Sequence, residues 1–336
     1  MTETLKIAIP MAGLGSRLRP HTWSKPKPLL HIAGRTVLDY FLDQFNTLPD
    51  ADNAEYIFIV NQPGDQVKDF MSQRYPHRKC SYVLQSEMRG QSDALFLARE
   101  YLHGPLLMAF SDTLVETDLS LLKDYPYDAL AWVKPVPDPR RFGVAQVNGE
   151  GWVTRLVEKP AEITNNLVVV GFYYFRSGEE LMGAIDEQMH RGTTLKGEYF
   201  LADAINILLE RGHKMRTVTV GNWLDAGTPD ALLETNRYLL EQGHGNGTAA
   251  ARRPGVTIIP PVYIHESAVI ENSVIGPNVS VDQDCRLQNV IIRNSIVERG
   301  TQLSQMVLAD SLIGRQTVLQ GQFKRLNLGD NAWVKE

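Results

Sequence analysis

From about residue 256 onward, apolar side chains recur at a nearly fixed interval. Tyr263, Val269, Ile275, Val281 and Leu287 stand six apart, and Ile292, Val297, Leu303, Leu308, Ile313 and Leu319 continue the series at spacings of five or six. Four residues after several of these sits a small or medium side chain: Ser273, Val279, Cys285, Thr301, Val307 and Thr317. Short strands that turn a corner about every six residues produce this pattern, because the recurring aliphatic then always points inward, and three such sides make one coil. The spacing therefore predicts a parallel β-helix over 256–336. An antiparallel sandwich would have to place eleven in-register positions between 263 and 319 by accident. Cys285 fits as a small residue in a coil wall and not as a reactive thiol.

Residues 1–240 have a different texture. Apolar runs at 5–9, 56–60, 106–109, 129–133, 168–175 and 217–220 read as strands. Helix-like segments at 36–46, 91–101, 178–189, 200–211 and 229–240 lie between several of them. This alternation predicts an α/β domain with a Rossmann-like, mixed but mostly parallel sheet. Residues 241–255, EQGHGNGTAAARRPG, lack apolar periodicity and read as a linker. A length of 336 residues suits two domains and a large core. With 34 basic against 39 acidic side chains the net charge is −5, which gives the chain no global electrostatic reason to bind nucleic acid or an anionic membrane. Cys80 and Cys285 form no zinc pattern and no disulfide framework. The first residues lack a signal-peptide pattern, and no apolar run reaches the ~20 residues of a membrane span. A cytoplasmic protein is expected.

Two segments carry chemistry. The first strand runs into Ile9-Pro10-Met11-Ala12-Gly13-Leu14-Gly15-Ser16-Arg17-Leu18-Arg19-Pro20. A strand that leads into a glycine-rich loop aims backbone N–H groups at an anion, and Gly13 and Gly15 permit close approach. The loop is not a Walker A motif, and Leu18 replaces the third glycine of a dinucleotide fingerprint. It ends instead in Arg17, whose guanidinium fork suits phosphate oxygens. Ten residues on, Lys25-Pro26-Lys27-Pro28-Leu29-Leu30 holds a lysine on a segment whose prolines favour extended backbone, within reach of the same anion.

Taken in order, these segments and Ile32-Ala33-Gly34-Arg35-Thr36-Val37-Leu38 resemble the opening of the sugar-1-phosphate nucleotidyltransferases, the NDP-sugar pyrophosphorylases. The resemblance extends along nearly the whole chain. Gln85 with Gly90-Gln91-Ser92-Asp93-Ala94 looks like the base-recognition stretch, and Phe110-Ser111-Asp112 like the metal-binding element. Arg141-Phe142-Gly143-Val144, Val157-Glu158-Lys159-Pro160 and Val170-Gly171-Phe172-Tyr173 resemble sugar-site segments. Gly197-Glu198-Tyr199-Phe200-Leu201-Ala202-Asp203-Ala204 and Trp223-Leu224-Asp225-Ala226-Gly227-Thr228-Pro229 match later signatures. The pattern is similar to that of glucose-1-phosphate thymidylyl- and uridylyltransferases, and a C-terminal left-handed β-helix is frequent in the family.

The resemblance implies the reaction NTP + sugar 1-phosphate → NDP-sugar + pyrophosphate, dependent on Mg²⁺. Arg17 and Lys27 would grip the triphosphate, together with Met11, Ala12, Gly13, Gly15 and Ser16. Lys159 would hold the sugar phosphate, with Glu158, Gly143 and Val170 on the sugar. Asp112 and Asp225, 113 residues apart, would converge on the metal. Arg17, Lys27, Asp112 and Lys159 are the implied catalytic residues. Gln85 and Gly90 would read the base, and an amide offers both a donor and an acceptor to uracil or thymine. The β-helix implies a homo-oligomer. An inactive regulatory protein of the same fold and a purine nucleotidyltransferase are the alternatives. His31 departs from the family pattern, where proline is usual, and Thr113 stands where asparagine is common.

Overall fold

The computed structural model describes residues 3–61, 65–163, 165–247 and 255–322. The chain forms two compact units. The first comprises residues up to Leu30 together with Thr36–Thr228; the second comprises His31–Arg35 and the residues from Pro229 on.

A nine-stranded sheet organises the first unit. At its centre Lys6–Pro10 lies parallel to Leu106–Ala109 on one side and to Glu55–Val60 on the other, and Lys79–Leu84 closes that edge, also parallel. Ile7, Ala8 and Ile9 are fully buried without alternation, as a strand covered on both faces requires. Beyond Leu106–Ala109 the sheet turns antiparallel. The nine-residue strand Leu167–Phe175 pairs with it, with Ala129–Pro135 and with the hairpin Gly143–Val147/Val153–Glu158. Met215–Thr219 completes the far edge, parallel to Ala129–Pro135. The expected strands and helices are present within a residue or two, except that the segments at 36–46 and 91–101 each split into a short α-helix and a 3₁₀ turn. The strand Lys79–Leu84, the helix Asp65–Arg74 and the antiparallel hairpin are additions.

Capping explains where the helices begin. The helix Val37–Asp43 opens with a capping box between Thr36 and Asp39. Gly178–Arg191 starts at Ser177, whose hydroxyl accepts from Glu180 N, and stops at Gly192 in the left-handed region. Its buried face meets Leu201–Glu210 over the sheet, where Leu181, Ile185, Leu201, Ile205 and Leu208 join the main core. Each such side chain contributes about 1.5–3 kcal/mol relative to exposure.

The second unit is a stack of parallel coils. Strand partners lie 17 residues apart in the early coils, as in Val262↔Val279, and 16 apart later, as in Val279↔Ser295. Three columns run up the stack, Ile264–Val281–Val297–Ile313, Ile258–Ile275–Ile292–Leu308 and Ile270–Leu287–Leu303–Leu319, interior except at Leu319, which is exposed. Nine of the eleven periodic positions fall in these columns. Tyr263 and Val269 do not: the inward residues there are Ile264 and Ile270, and the spacing begins one residue early. Val307, four residues after Leu303, pairs beside Ile291 on an outer face and is 74% exposed. Cys285 is fully buried, as a wall residue should be. The corners are turned by residues at positive φ, among them Asn272, Asn278, Asp284, Asn294 and Asp310, the side chains that best tolerate this region apart from glycine. The helix Pro229–Leu239 belongs to this unit and runs on through Leu240–His244. Asn246 then bonds both backbone partners of the strand Val262–Ile264. Residues 248–254, the remainder of the expected linker, lie outside the described residues.

Candidate active site

Three parallel strands of the first unit deliver the site at their carboxyl ends, where open α/β sheets bind ligands. Lys6–Pro10 ends in the glycine loop, Lys79–Leu84 in Gln85, and Leu106–Ala109 in Phe110-Ser111-Asp112. They border one cavity of about 450 Å³, lined by Met11 to Arg17, Lys27, Gln85, Gly90, Gln91, Asp112, Glu198 and Gly227, among others.

The loop is held from both ends. Met11 N donates to Ile59 O of the neighbouring strand (2.8 Å), and Thr22 Oγ1 donates to Gly15 O (2.9 Å). Ser16–Leu18 forms a 3₁₀ turn pinned by buried Leu18, which leaves Arg17 beside it on the cavity wall. Lys27 is not on extended backbone as its prolines suggest. Pro26 is extended, but Lys27–Leu29 is itself a 3₁₀ turn. Pro28 sits within its first positions, where a missing N–H costs nothing. The Lys27 ammonium is paired with the Asp112 carboxylate.

Asp225 reaches Asp112 through a small ladder. Trp223–Asp225 pairs antiparallel with Thr113–Val115, and Ala226 N donates to Asp112 O (3.1 Å). The Arg17 guanidinium lies against Gly227, where a Cβ would stand 3.0 Å from Nη2 and 2.8 Å from Asp225 Oδ1. Burial raises the Asp225 carboxyl above the usual aspartate range, and the Asp112 charge pushes it the same way. Lys27 and Arg17 oppose that shift without cancelling it. Two cations from residues 17–27 and two acids from distant stretches thus share one electrostatic neighbourhood.

At the other side of the cavity Gln85, only 4% exposed, spends its amide nitrogen on Asp93 Oδ2 (3.0 Å) and Gly90 O (3.2 Å). Its carbonyl oxygen is what remains for a ligand, so it offers one face where the sequence suggested two. Gly90 has φ 108°, and a Cβ there would lie 2.5 Å from both N and O of Tyr199. The close approach is fixed by Tyr199 N→Arg89 O (2.8 Å) and Ser92 N→Tyr199 O (3.0 Å).

Gly143, Glu158, Lys159 and Val170 form a neighbouring group and do not line that cavity. Lys159 lies 3.5 Å from Glu158 and packs its ammonium over the Phe200 ring at 4.3 Å, a cation–π contact. Burial raises the Glu158 carboxyl, Lys159 draws it back, and the charges of Asp203 and Glu198 add to the rise. Glu198 belongs to both groups, since it also lines the 450 Å³ cavity. Glu158 Oε2 lies 3.0 Å from where a Cβ at Gly143 would be, so the carboxylate sits directly over this backbone position. Val170 is buried beside the irregularity in its strand, where Phe110 N donates to Gly171 O (3.1 Å). Sequence patterns gave no role to Asp93, Tyr199, Glu198 or Phe200. Each acts through tertiary proximity, and the one linear sign was their position within matched motifs.

Comparison with known proteins agrees with this geometry. The model of the family described as "Nucleotidyl transferase" matches residues 8–242, and one described as "GlmU-like, C-terminal hexapeptide" matches 254–312. A glucose-1-phosphate thymidylyltransferase of Streptomyces griseus is 28% identical over 98% of each chain. A UTP–glucose-1-phosphate uridylyltransferase of Haloferax volcanii is 28% identical over 69% of this chain and 95% of its own. A bifunctional protein GlmU of Methanocaldococcus jannaschii is 32% identical over 69% of this chain and 53% of its own. A solved UDP-glucose pyrophosphorylase complexed with UDP-glucose superposes with a TM-score of 0.62 at 19% identity, covering 71% of this chain and all of that one, a likeness of fold. No helix among the described residues is long and apolar enough to cross a membrane. The chain belongs to the nucleotidyl transferase family.

Proposed function

We propose that this enzyme joins a pyrimidine NTP, UTP or dTTP, to a hexose 1-phosphate such as glucose 1-phosphate, releasing pyrophosphate. A phosphate oxygen of the sugar attacks the α-phosphorus in line. The bond from that phosphorus to the α,β-bridging oxygen breaks, and pyrophosphate leaves with the electron pair. Both reactants are anions, so positioning and positive charge supply most of the rate. The observation that carries this reading is a single cavity with Gln85 and Gly90 on one side and Arg17, Lys27 and Asp112 on the other.

Gln85 offers its carbonyl oxygen as an acceptor, which can meet the N3–H of uracil or thymine. The amino groups of adenine and cytosine and guanine N1–H are donors at the same edge, so this one acceptor does not rank the bases; the pyrimidine assignment draws also on the similarity to a thymidylyl- and a uridylyltransferase. Arg17 and Lys27 bind the β- and γ-phosphates and take up charge on the leaving group. Lys159 holds the sugar phosphate, and Glu158 accepts hydrogen bonds from sugar hydroxyls, as do backbone groups at Gly143 and Val170.

The acids at 112 and 225 suit Mg²⁺. They are hard oxygen donors close enough for Asp112 to shift the Asp225 carboxyl, and no group of three or more metal-ligating side chains occurs among the described residues. A pair of carboxylates completed by substrate phosphate oxygens is how Mg²⁺ is usually bound. Bound there, the ion would neutralise triphosphate charge. We further propose that the protein is cytoplasmic and that its coils support a homo-oligomer.

A matrix of five NTPs against common sugar 1-phosphates, read by pyrophosphate release with and without EDTA, tests the proposal. Turnover with UTP or dTTP that EDTA abolishes and Mg²⁺ restores is expected. No turnover in any pair, with nucleotide still bound in calorimetry, would mark an inactive regulatory protein instead. Turnover with GTP alone would move the base assignment to a purine.

A further inference from the structure

The strand Val153–Glu158, which delivers Glu158 and Lys159, is the outermost of its sheet. Its hairpin partner Gly143–Val147 joins the long strand Leu167–Phe175 at one position, Val144↔Val168. Asn165 Nδ2 adds a bond to Ala145 O (2.6 Å), and Lys159 N donates to Phe142 O (3.0 Å). These contacts fix Lys159 against its own hairpin. None of them reaches the helix Leu201–Glu210, whose N-terminal flank carries the ring under the lysine ammonium.

Asn206 makes that link. Its Oδ1 accepts from Leu156 N (2.8 Å), and its Nδ2 donates to Leu156 O (2.9 Å). An amide has one donor end and one acceptor end, so it pairs with both peptide groups of a residue as a neighbouring strand would. It does so just past the irregularity between Val153 and Arg155, where the hairpin's own register shifts. Leu156 is 2% exposed, so its peptide groups depend on this partner. Phe200, Asp203 and Asn206 recur at intervals of three and lie along one side of the helix. They meet Lys159, Glu158 and Leu156 in turn: a ring under the ammonium, an acid whose charge raises the Glu158 carboxyl, and an amide on the strand backbone. Phe200 is itself anchored, since fully buried Gln188 donates from Nε2 to Phe200 O (2.9 Å).

Lys159 has φ 47°, in the left-handed region, and precedes Pro160. A lysine keeps such a backbone only while its surroundings fix it. We propose that Asn206 is a positioning residue for Lys159: by tying Leu156 to the helix it fixes the strand end from which the ammonium, guided by the Phe200 ring, meets the sugar phosphate. The proposal rests on the assignment of Lys159 to the sugar phosphate, and it makes the helix the frame of the acceptor site. The glycine loop and Gln85 follow other strands, so NTP binding does not depend on this tie.

The test is a double-mutant cycle of Asn206→Ala with Lys159→Gln, read by steady-state kinetics with UTP and glucose 1-phosphate on full chains that thermal melting shows to be folded at the assay temperature. Expected for Asn206→Ala is a rise of roughly five- to tenfold in KM for glucose 1-phosphate, with KM for UTP within about twofold of the parent. In the Lys159→Gln background the same substitution costs less than about twofold, because the group it positions is gone. Asn206→Gln keeps both ends of the amide one methylene farther out; it should raise the same KM about threefold, and it replaces the alanine variant if that chain does not fold. Full additivity of the two substitutions, an equal loss toward both substrates, or no change in the Asn206 variants overturns the proposal. Lys159→Gln alone separates the two claims. If it leaves glucose 1-phosphate kinetics intact, the assignment of Lys159 fails. If it impairs them while the Asn206 variants do not, only the positioning role fails.

Discussion

Gly90→Ala perturbs the base-reading edge at a point where the backbone leaves no room. The residue sits at φ 108° and ψ −177°, a conformation that costs a non-glycine residue about 1–3 kcal/mol. The new Cβ would also lie 2.5 Å from N and O of Tyr199, atoms that cannot rotate away. Ordinary contact requires a retreat of about 0.5–1 Å, which stretches both Tyr199 N→Arg89 O and Ser92 N→Tyr199 O. Strain and weakened hydrogen bonds together give about 3 kcal/mol, or a fall of roughly 6–12 °C in Tm for a unit of this size. The same displacement moves the Gly90 carbonyl that braces Gln85, and kcat/KM for the NTP should fall by roughly ten- to a hundredfold. Thermal melting and steady-state kinetics at saturating sugar phosphate read both effects. Gly13→Ala is the comparison, because its Cβ would meet nothing within 4 Å, so Tm should hold while NTP binding weakens at the cavity wall. If Gly90→Ala melts like the parent and keeps its NTP kinetics, the packing of this loop against Tyr199 does not shape the base site.

Asp39 is 1% exposed and accepts from Thr36 and Tyr75 while pairing with Arg74, so Asp39→Ala should cost about 3 kcal/mol in urea unfolding, toward the low end for a broken buried pair because Arg74 is half exposed. Burial resists ionisation of that carboxyl, but its hydrogen bonds and Arg74 prevail and lower it; its stabilisation is therefore full above the ordinary carboxylate range and is lost as pH falls through the lowered value, a limb that Asp39→Asn should lack. Asp225→Asn removes one of the two carboxylates proposed for Mg²⁺ and should lower kcat roughly a hundredfold or more, read by pyrophosphate release at saturating Mg²⁺; a variant that keeps the parent rate would remove Asp225 from the metal site. Lys159→Gln should raise KM for the sugar 1-phosphate about tenfold with KM for the NTP nearly unchanged, and a loss confined to the NTP would reassign the residue.

Fold was legible where burial is uniform. The central strands carry unbroken apolar runs, and the coils repeat an inward aliphatic. Lys79–Leu84 escaped notice because an edge strand with half-exposed side chains carries no such run. Tyr263 and Val269 misled because an apolar residue one position off the column looks the same in a linear count. At the site, Arg17, Lys27, Asp112 and Asp225 were readable from motif order. That Gln85 offers one polar group and not two was not, since Asp93 takes the other only once the helix Gln91–Leu97 is in place. The turn at Lys27 was likewise hidden, because proline favours both extended backbone and the start of a helical turn.

The ladder between Thr113–Val115 and Trp223–Asp225 ties a knot around everything from 116 to 222. Backbone pairing, not proximity along the chain, therefore sets the distance between the acids at 112 and 225: side-chain substitutions on either strand leave it in place as long as the peptide groups of the ladder can pair.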